Sequence, residues 1–253
     1  MIVVSRPSSK PVEPRFPARK NRLVEAAIYR TLVRPSLRRA FHRVAISAPH
    51  GEDWSALPTI FYANHVSWWD GYMAFFLTDE RWHVEGYLMM EEPQLRRYRF
   101  FQRCGCFSVD RHDPREGMRS VAYAAQLLQD RPERVLWIFP QGEIVPNDRR
   151  PLVTYAGAAH VALRAAPVRC VPVALRFEFF GEQRPEALIR LGPPHIVDNA
   201  SAKTLHAEMD RRLLHEVDGL RADVLSGAAA SYQTALAGHS SINVLWDRVR
   251  GKM

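Results

Sequence analysis

Short runs of β-branched and aromatic residues alternate with stretches of helical period along most of this chain, and that alternation dictates an α/β fold. The run TIFYA at residues 59–63 follows Pro58 and is apolar at every position, as a strand buried on both faces must be. Residues 134–139 (RVLWIF) and 171–177 (VPVALRF) repeat that signature, and residues 83–88, 106–109 and 187–191 are shorter strand candidates. Between them, residues 71–77, 94–102, 115–130, 157–165 and 202–225 carry helical spacing. In residues 115–130 the stripe is Met118, Val121, Ala122, Ala125 and Leu128. The expected architecture is a mixed, largely parallel sheet flanked by helices, forming a single domain over residues 21–226.

The two ends read differently. Residues 1–20 contain Pro7, Pro11, Pro14 and Pro17 and no hydrophobic period, so a flexible basic arm is expected. Residues 21–45 read as an N-terminal basic amphipathic helical segment. Val24, Ile28 and Leu32 recur at four-residue spacing, Pro35 interrupts, and Leu37, Phe41 and Val44 resume among Arg38, Arg39 and Arg43. Residues 227–253 are weakly patterned and read as a C-terminal tail.

Charge is distributed unevenly. Residues 1–50 hold 11 Lys and Arg against two acids, Glu13 and Glu25, which leaves 24 basic and 25 acidic residues in the rest. A near-neutral body offers no nucleic-acid groove, whereas a basic amphipathic segment suits an anionic membrane surface. No run approaches the roughly 20 apolar residues of a spanning helix, and the residues after Val4 do not form a signal peptide. Cys104, Cys106 and Cys170 are too few for a disulfide framework. Cys104, Cys106 and His112 lack a fourth ligand at zinc spacing, so no metal is expected. The expected location is cytoplasmic and peripherally membrane-associated.

The chemistry-bearing residues lie just after strands. Asn64, His65 and Asp70 follow the 59–63 run, at the strand end where open α/β sheets place ligands. Five residues along a regular helix would turn Asp70 about 140° away from His65. The pair can meet only if His65 lies in the loop and Asp70 in the following helix. Asp70 could then fix the imidazole tautomer and leave the second nitrogen to take a proton from a hydroxyl. No Gly-x-Ser-x-Gly elbow supplies a serine nucleophile. Arg111 follows the 106–109 strand, where it could bind an anion or pair with Asp110 or Asp113. Gln141, Gly142 and Glu143 form a turn after Phe139-Pro140.

Taken in order, these segments resemble the glycerolipid (lysophospholipid-type) acyltransferase family over roughly residues 40–200. Its Asn-His-x-x-x-x-Asp motif is met by Asn64, His65 and Asp70, with Ser67 where the family often has serine. Gly105 and Arg111 match a Gly-x-x-x-x-x-Arg motif. Phe139, Pro140 and Gly142 match Phe-Pro-Glu-Gly-Thr-Arg, and Val171-Pro172-Val173-Ala174 resembles the fourth motif. The departures are Gln141 for glutamate, and Glu143 and Ile144 for Thr and Arg. The resemblance implies acyl transfer from acyl-CoA or acyl-carrier protein to a hydroxyl of a glycerolipid, lysophospholipid or other lipid acceptor. It implies His65 and Asp70 as the catalytic pair, and Asn64, Arg111, Gln141, Gly142 and Glu143 as substrate-binding residues. No cofactor beyond the thioester co-substrate is implied. The altered third motif leaves a non-catalytic lipid- or membrane-binding protein of the same fold as the alternative, and it points away from glycerol 3-phosphate or lysophosphatidate as acceptor.

Overall fold

The structure, a computed structural model, describes residues 12–239. Its first elements are α1 (Arg22–Ile28) and α2 (Arg34–Ala40), joined without a break by a wider π-type turn at Tyr29–Val33. The Asn21 side chain accepts from the amides of Leu23 and Val24 and so starts α1. Pro35 lacks an N–H, and its ring crowds the carbonyl one turn back. The widened turn sits immediately ahead of it and lets the rod continue. The buried stripe is Tyr29, Val33, Leu37 and Phe41: Leu37 and Phe41 as expected, Tyr29 and Val33 one position on from Ile28 and Leu32. Leu23, Val24 and Leu32 face solvent instead.

The helical segment ends at Ala40 rather than running to residue 45. Residues Arg43–Ser47 form β1, with Val44, Ala45 and Ile46 all buried. Leu37, Phe41 and Val44 do keep helical spacing, but the His42 amide donates to Pro185 O and the chain extends into the sheet.

The remaining elements follow in chain order. They are β2 (Thr59–Ala63), α3 (Asp70–Phe75), β3 (Glu85–Glu91), α4 (Glu92–Arg97), β4 (Cys106–Val109), α5 (Pro114–Asp130) and β5 (Arg134–Ile138). Then come α6 (Gly157–Ala165), β6 (Val168–Glu178), β7 (Glu186–Leu191), β8 (His195–Val197), α7 (Ala202–Ser226) and β9 (Gln233–Ala237). The strands make one mixed sheet in the order β4-β3-β5-β2-β6-β7-β1-β9, with β8 paired to the start of β6. From β4 to β6 every pairing is parallel, and β6–β7 is an antiparallel hairpin. β2 is therefore central, and the segments leaving the carboxyl ends of β2, β3, β4 and β5 all emerge on one edge of the sheet.

The described segments near both ends join this body. Part of the expected arm, residues 1–11, lies outside the described residues, but residues 12–20 pack along β4. Phe16 exchanges hydrogen bonds with Ser108, its amide donating to Ser108 Oγ at 3.0 Å and its carbonyl accepting from Ser108 N at 2.9 Å. The Arg15 amide donates to Glu116, and the Arg19 amide donates to Gln102 O. Pro14 and Pro17 are buried. An edge strand presents unpaired backbone groups, and this segment supplies their partners. At the other end, the expected tail contributes β9, antiparallel to β1; residues 240–253 lie outside the described residues.

Strand alternation divides the core in two. Ile60 and Tyr62 pack with α5, α6 and α7, while Phe61 and Ala63 pack on the opposite face with α2 and α3. There the Phe61 ring lies 4.8 Å from Trp82 and 4.7 Å from Trp137, and the Trp137 indole donates to Thr78 Oγ1. Gly105 adopts φ +92° where a Cβ would stand 2.6 Å from Gly86 O, so only glycine turns the chain into β4 here.

His195, at the start of β8, is the histidine most affected by this packing. Burial and the nearby Arg212 pull its pKa down from 6.5 to about 4. Neither ring nitrogen has a hydrogen-bond partner among the described residues. The unfolded chain binds the proton below pH 6.5 and the folded chain only near 4, so stability falls as pH drops through that window. Urea unfolding at pH 7 and pH 4.5 should show a larger acid loss for the wild type than for His195→Phe.

Candidate active site

Asp70 is fully buried and opens α3, while His65 lies in the loop behind it, the one arrangement in which the two can meet. Asp70 Oδ2 stands 2.7 Å from His65 Nδ1, and it accepts from the amides of Val66 at 2.6 Å and Ser67 at 2.9 Å. Two amide hydrogens already point at that oxygen, so the third hydrogen must come from Nδ1. The neutral imidazole is then the Nδ1–H tautomer, with Nε2 as its free base. Burial pushes the Asp70 carboxyl up from its ordinary range, opposed by the hydrogen bonds from His65, Ser67 and Val66. The imidazole also stacks on Phe139, with centroids 4.7 Å apart, which fixes the plane of the ring.

Three connections hold the loop backbone. Asn64 is buried, and its amide group pairs both ways with Leu175, accepting from N at 2.7 Å and donating to O at 2.9 Å. A side chain thereby adds one rung to the ladder between β2 and β6, which continues past the end of β2. Gln141 is also buried, and its Oε1 accepts from the His65 amide at 2.7 Å. The His65 carbonyl accepts from Val145 N at 2.8 Å. Asn64 and Gln141, expected to bind substrate, make these contacts with the backbone of Leu175 and of His65 respectively. An amide suits both tasks, because a buried carboxylate would lack the donor that Asn64 needs and would carry an unpaired charge.

The other expected residues cluster close by. Arg111 Nε lies 2.8 Å from Glu91 Oε1, Nη1 donates to Gly142 O at 3.1 Å, and Nη1 is 3.8 Å from Glu143 Oε2. Asp110 and Asp113, the expected surface partners of Arg111, instead pair with Arg15. Gly142 sits at φ +70°, with the Tyr155 ring 3.0 Å from where a Cβ would be. Its amide donates to Phe139 O, so that turn donor is already committed.

A cavity of about 340 Å³ opens beside His65. Its apolar wall includes Phe75, Leu88, Met90, Tyr98, Phe101 and Ile138, and Glu91, Gln94 and Glu143 also line it. Most of this wall lies outside the motifs. Glu91 was missed by sequence reasoning, although its place at the carboxyl end of β3 is the same signal that singled out Arg111 after β4. Phe75 lines the cavity as well, where core packing or a membrane-facing surface was expected. The three thiols are buried, and burial pushes Cys104 and Cys170 up to about 12. Among the described residues no cluster of three or more His, Cys, Asp or Glu could hold a metal ion.

If Asn64 acts by holding the loop, its replacement should be felt in folding before binding. Asn64→Asp keeps the acceptor for Leu175 N but sets a buried carboxylate against Leu175 O. The expected cost is about 2–3 kcal/mol, or roughly 5–10 °C in Tm by calorimetry. An unchanged Tm with weakened substrate binding would return Asn64 to the binding set.

Residues 47–176 match the profile of the family described as Acyltransferase, about half of the chain. No curated protein matches this sequence. Among solved structures, the fold is similar to the 1-acyl-sn-glycerophosphate (LPA) acyltransferase PlsC of Thermotoga maritima, with a TM-score of 0.58 at 15% identity over 79% of each chain. The motifs, the paired His65 and Asp70 and the family match agree: the chain belongs to the acyltransferase family and is an acyltransferase.

Proposed function

We propose that the protein transfers a fatty acyl group from an acyl-CoA or acyl-carrier-protein thioester to a hydroxyl of a lipid acceptor, with His65 as general base. The observation that carries this reading is the 2.7 Å pairing of His65 Nδ1 with buried Asp70, on a ring that lines an apolar cavity. Nε2 takes the proton of the acceptor hydroxyl as its oxygen bonds to the thioester carbonyl carbon. The tetrahedral intermediate collapses, the C–S bond breaks, and the thiolate leaves and collects the proton from the imidazolium. Asp70 holds the tautomer and balances the transient imidazolium charge. The apolar cavity takes the acyl chain. The similarity to an acyltransferase named for a glycerophospholipid substrate supports a lipid acceptor.

Thiol release from palmitoyl-CoA should depend on added lipid acceptor, and His65→Ala should lower it by about 10²–10⁴-fold, the usual contribution of a positioned base. Release unaffected by the substitution would remove His65 from the mechanism.

The protein docks on an anionic membrane through α1 and α2. Leu23 is 83% exposed, and Val24 and Leu32 accompany it among the exposed Arg22, Arg30 and Arg39. No helix among the described residues is long and apolar enough to cross a membrane. Deleting residues 1–44 would remove part of β1 and buried core residues, so the outward face is the proper target. Flotation with vesicles containing phosphatidylglycerol should fall for a Leu23→Ser, Val24→Ser, Leu32→Ser triple variant and weaken with salt. Flotation equal to wild type would rule this face out.

A further inference from the structure

The mouth of the cavity has the wrong charge for the acceptor that an arginine at this position suggests. Arg111 is the cation nearest to His65 in the motifs, and its charge is already met. Glu91 lies 2.8 Å from Nε and Glu143 lies 3.8 Å from Nη1, so one guanidinium faces two carboxylates. Asp70 adds a third carboxylate behind His65. Among the described residues no lysine or arginine lines the cavity. Neighbouring arginines are also paired: Arg150 with Asp218, and Arg176 with Asp148 and Glu178. A phosphate monoester brought to the hydroxyl-activating nitrogen would meet an excess of negative charge, since the guanidinium beside it is already paired with carboxylates.

The lining suits a different headgroup. Glu143 and Gln94 offer acceptors and an amide donor to hydroxyls, while Trp68, 54% exposed, and Tyr72 offer aromatic faces. We propose that the acceptor's head carries no net negative charge, a lipid with an uncharged hydroxylated head being the class that fits, and that Glu91 and Glu143 enforce this by occupying Arg111. The inference rests on the acyltransferase reading above and specifies the acceptor for it.

The test is a matched pair of acceptors that differ only in the phosphate: a monoacylglycerol and the lysophosphatidate with the same chain. Each is a dilute guest in the same zwitterionic micelle, with palmitoyl-CoA as donor and acylated product measured. The uncharged acceptor should have the higher kcat/KM by at least about tenfold, since the carboxylates repel a phosphate at this range. Glu143 is 60% exposed in its side chain, so Glu143→Gln leaves the fold intact, and the ratio should narrow in that variant. It should narrow further in Glu91→Gln, Glu143→Gln, where Arg111 is released. A purely structural role for the two glutamates would lower both rates and leave the ratio alone, and that result would overturn the proposal. So would wild-type preference for lysophosphatidate, which would leave the acyltransferase reading untouched. If neither lipid is acylated but another acceptor is, a net negative head on that acceptor overturns the proposal and a neutral or cationic one supports it. Thiol release with no acceptor at all responding would sink the acyltransferase reading and this inference with it.

Discussion

A carboxylate taken out of water must be met by donors, and the catalytic end of this molecule is arranged around meeting one. Asp70 has no exposure, and the amides of Val66 and Ser67 converge on a single oxygen together with His65 Nδ1. Those contacts fold residues 65–70 into a compact loop, turn α3 away from the end of β2, and dictate which imidazole nitrogen is left free. The tautomer is thus a consequence of burying the acid.

The same loop shows why amides stand where charged groups would be costly. Gln141 occupies the place of a glutamate in the resembling motif, and it hydrogen-bonds the His65 backbone from a buried position. A neutral carbonyl oxygen does that without a desolvation penalty for charge. The substitution therefore looks like a loss of binding chemistry in the sequence and is a positioning contact in the structure. Negative charge is present near the site in Glu91 and Glu143, both beside Arg111.

How much of this was legible in the sequence depended on how local the signal was. β2, β5, α5 and α6 were readable because burial on both faces, or on one helical stripe, writes itself into consecutive residues. The His65–Asp70 pairing was readable because helix geometry forbids every arrangement but one. β1 was misread because Leu37, Phe41 and Val44 keep helical spacing across a real break, and hydrogen bonding to Pro185, 143 residues beyond His42, decides the matter. Residues 12–20 looked unstructured because their order comes from pairing with β4, and β9 because it is held by β1. Glu91 was missed since a lone glutamate carries no pattern; only the parallel sheet shows that β3 and β4 end side by side.

Charge is the property that a sequence count distorts most. Residues 1–50 hold a large basic excess, and the rest counts as nearly neutral. In the fold, Arg15 lies against Glu92 and Asp113, Arg34 against Glu80, and Arg43 against Glu186. The body's acids are therefore partly spent on the N-terminal segment. What stays local is small: exposed arginines beside Leu23 on α1 and Leu32 in the turn that follows it, and an acidic mouth on the cavity. A surface of the first kind attracts anionic lipid. In the proposed reading the second would admit only headgroups whose charge does not oppose it, so that membrane attraction and acceptor choice would be set by separate groups of opposite sign.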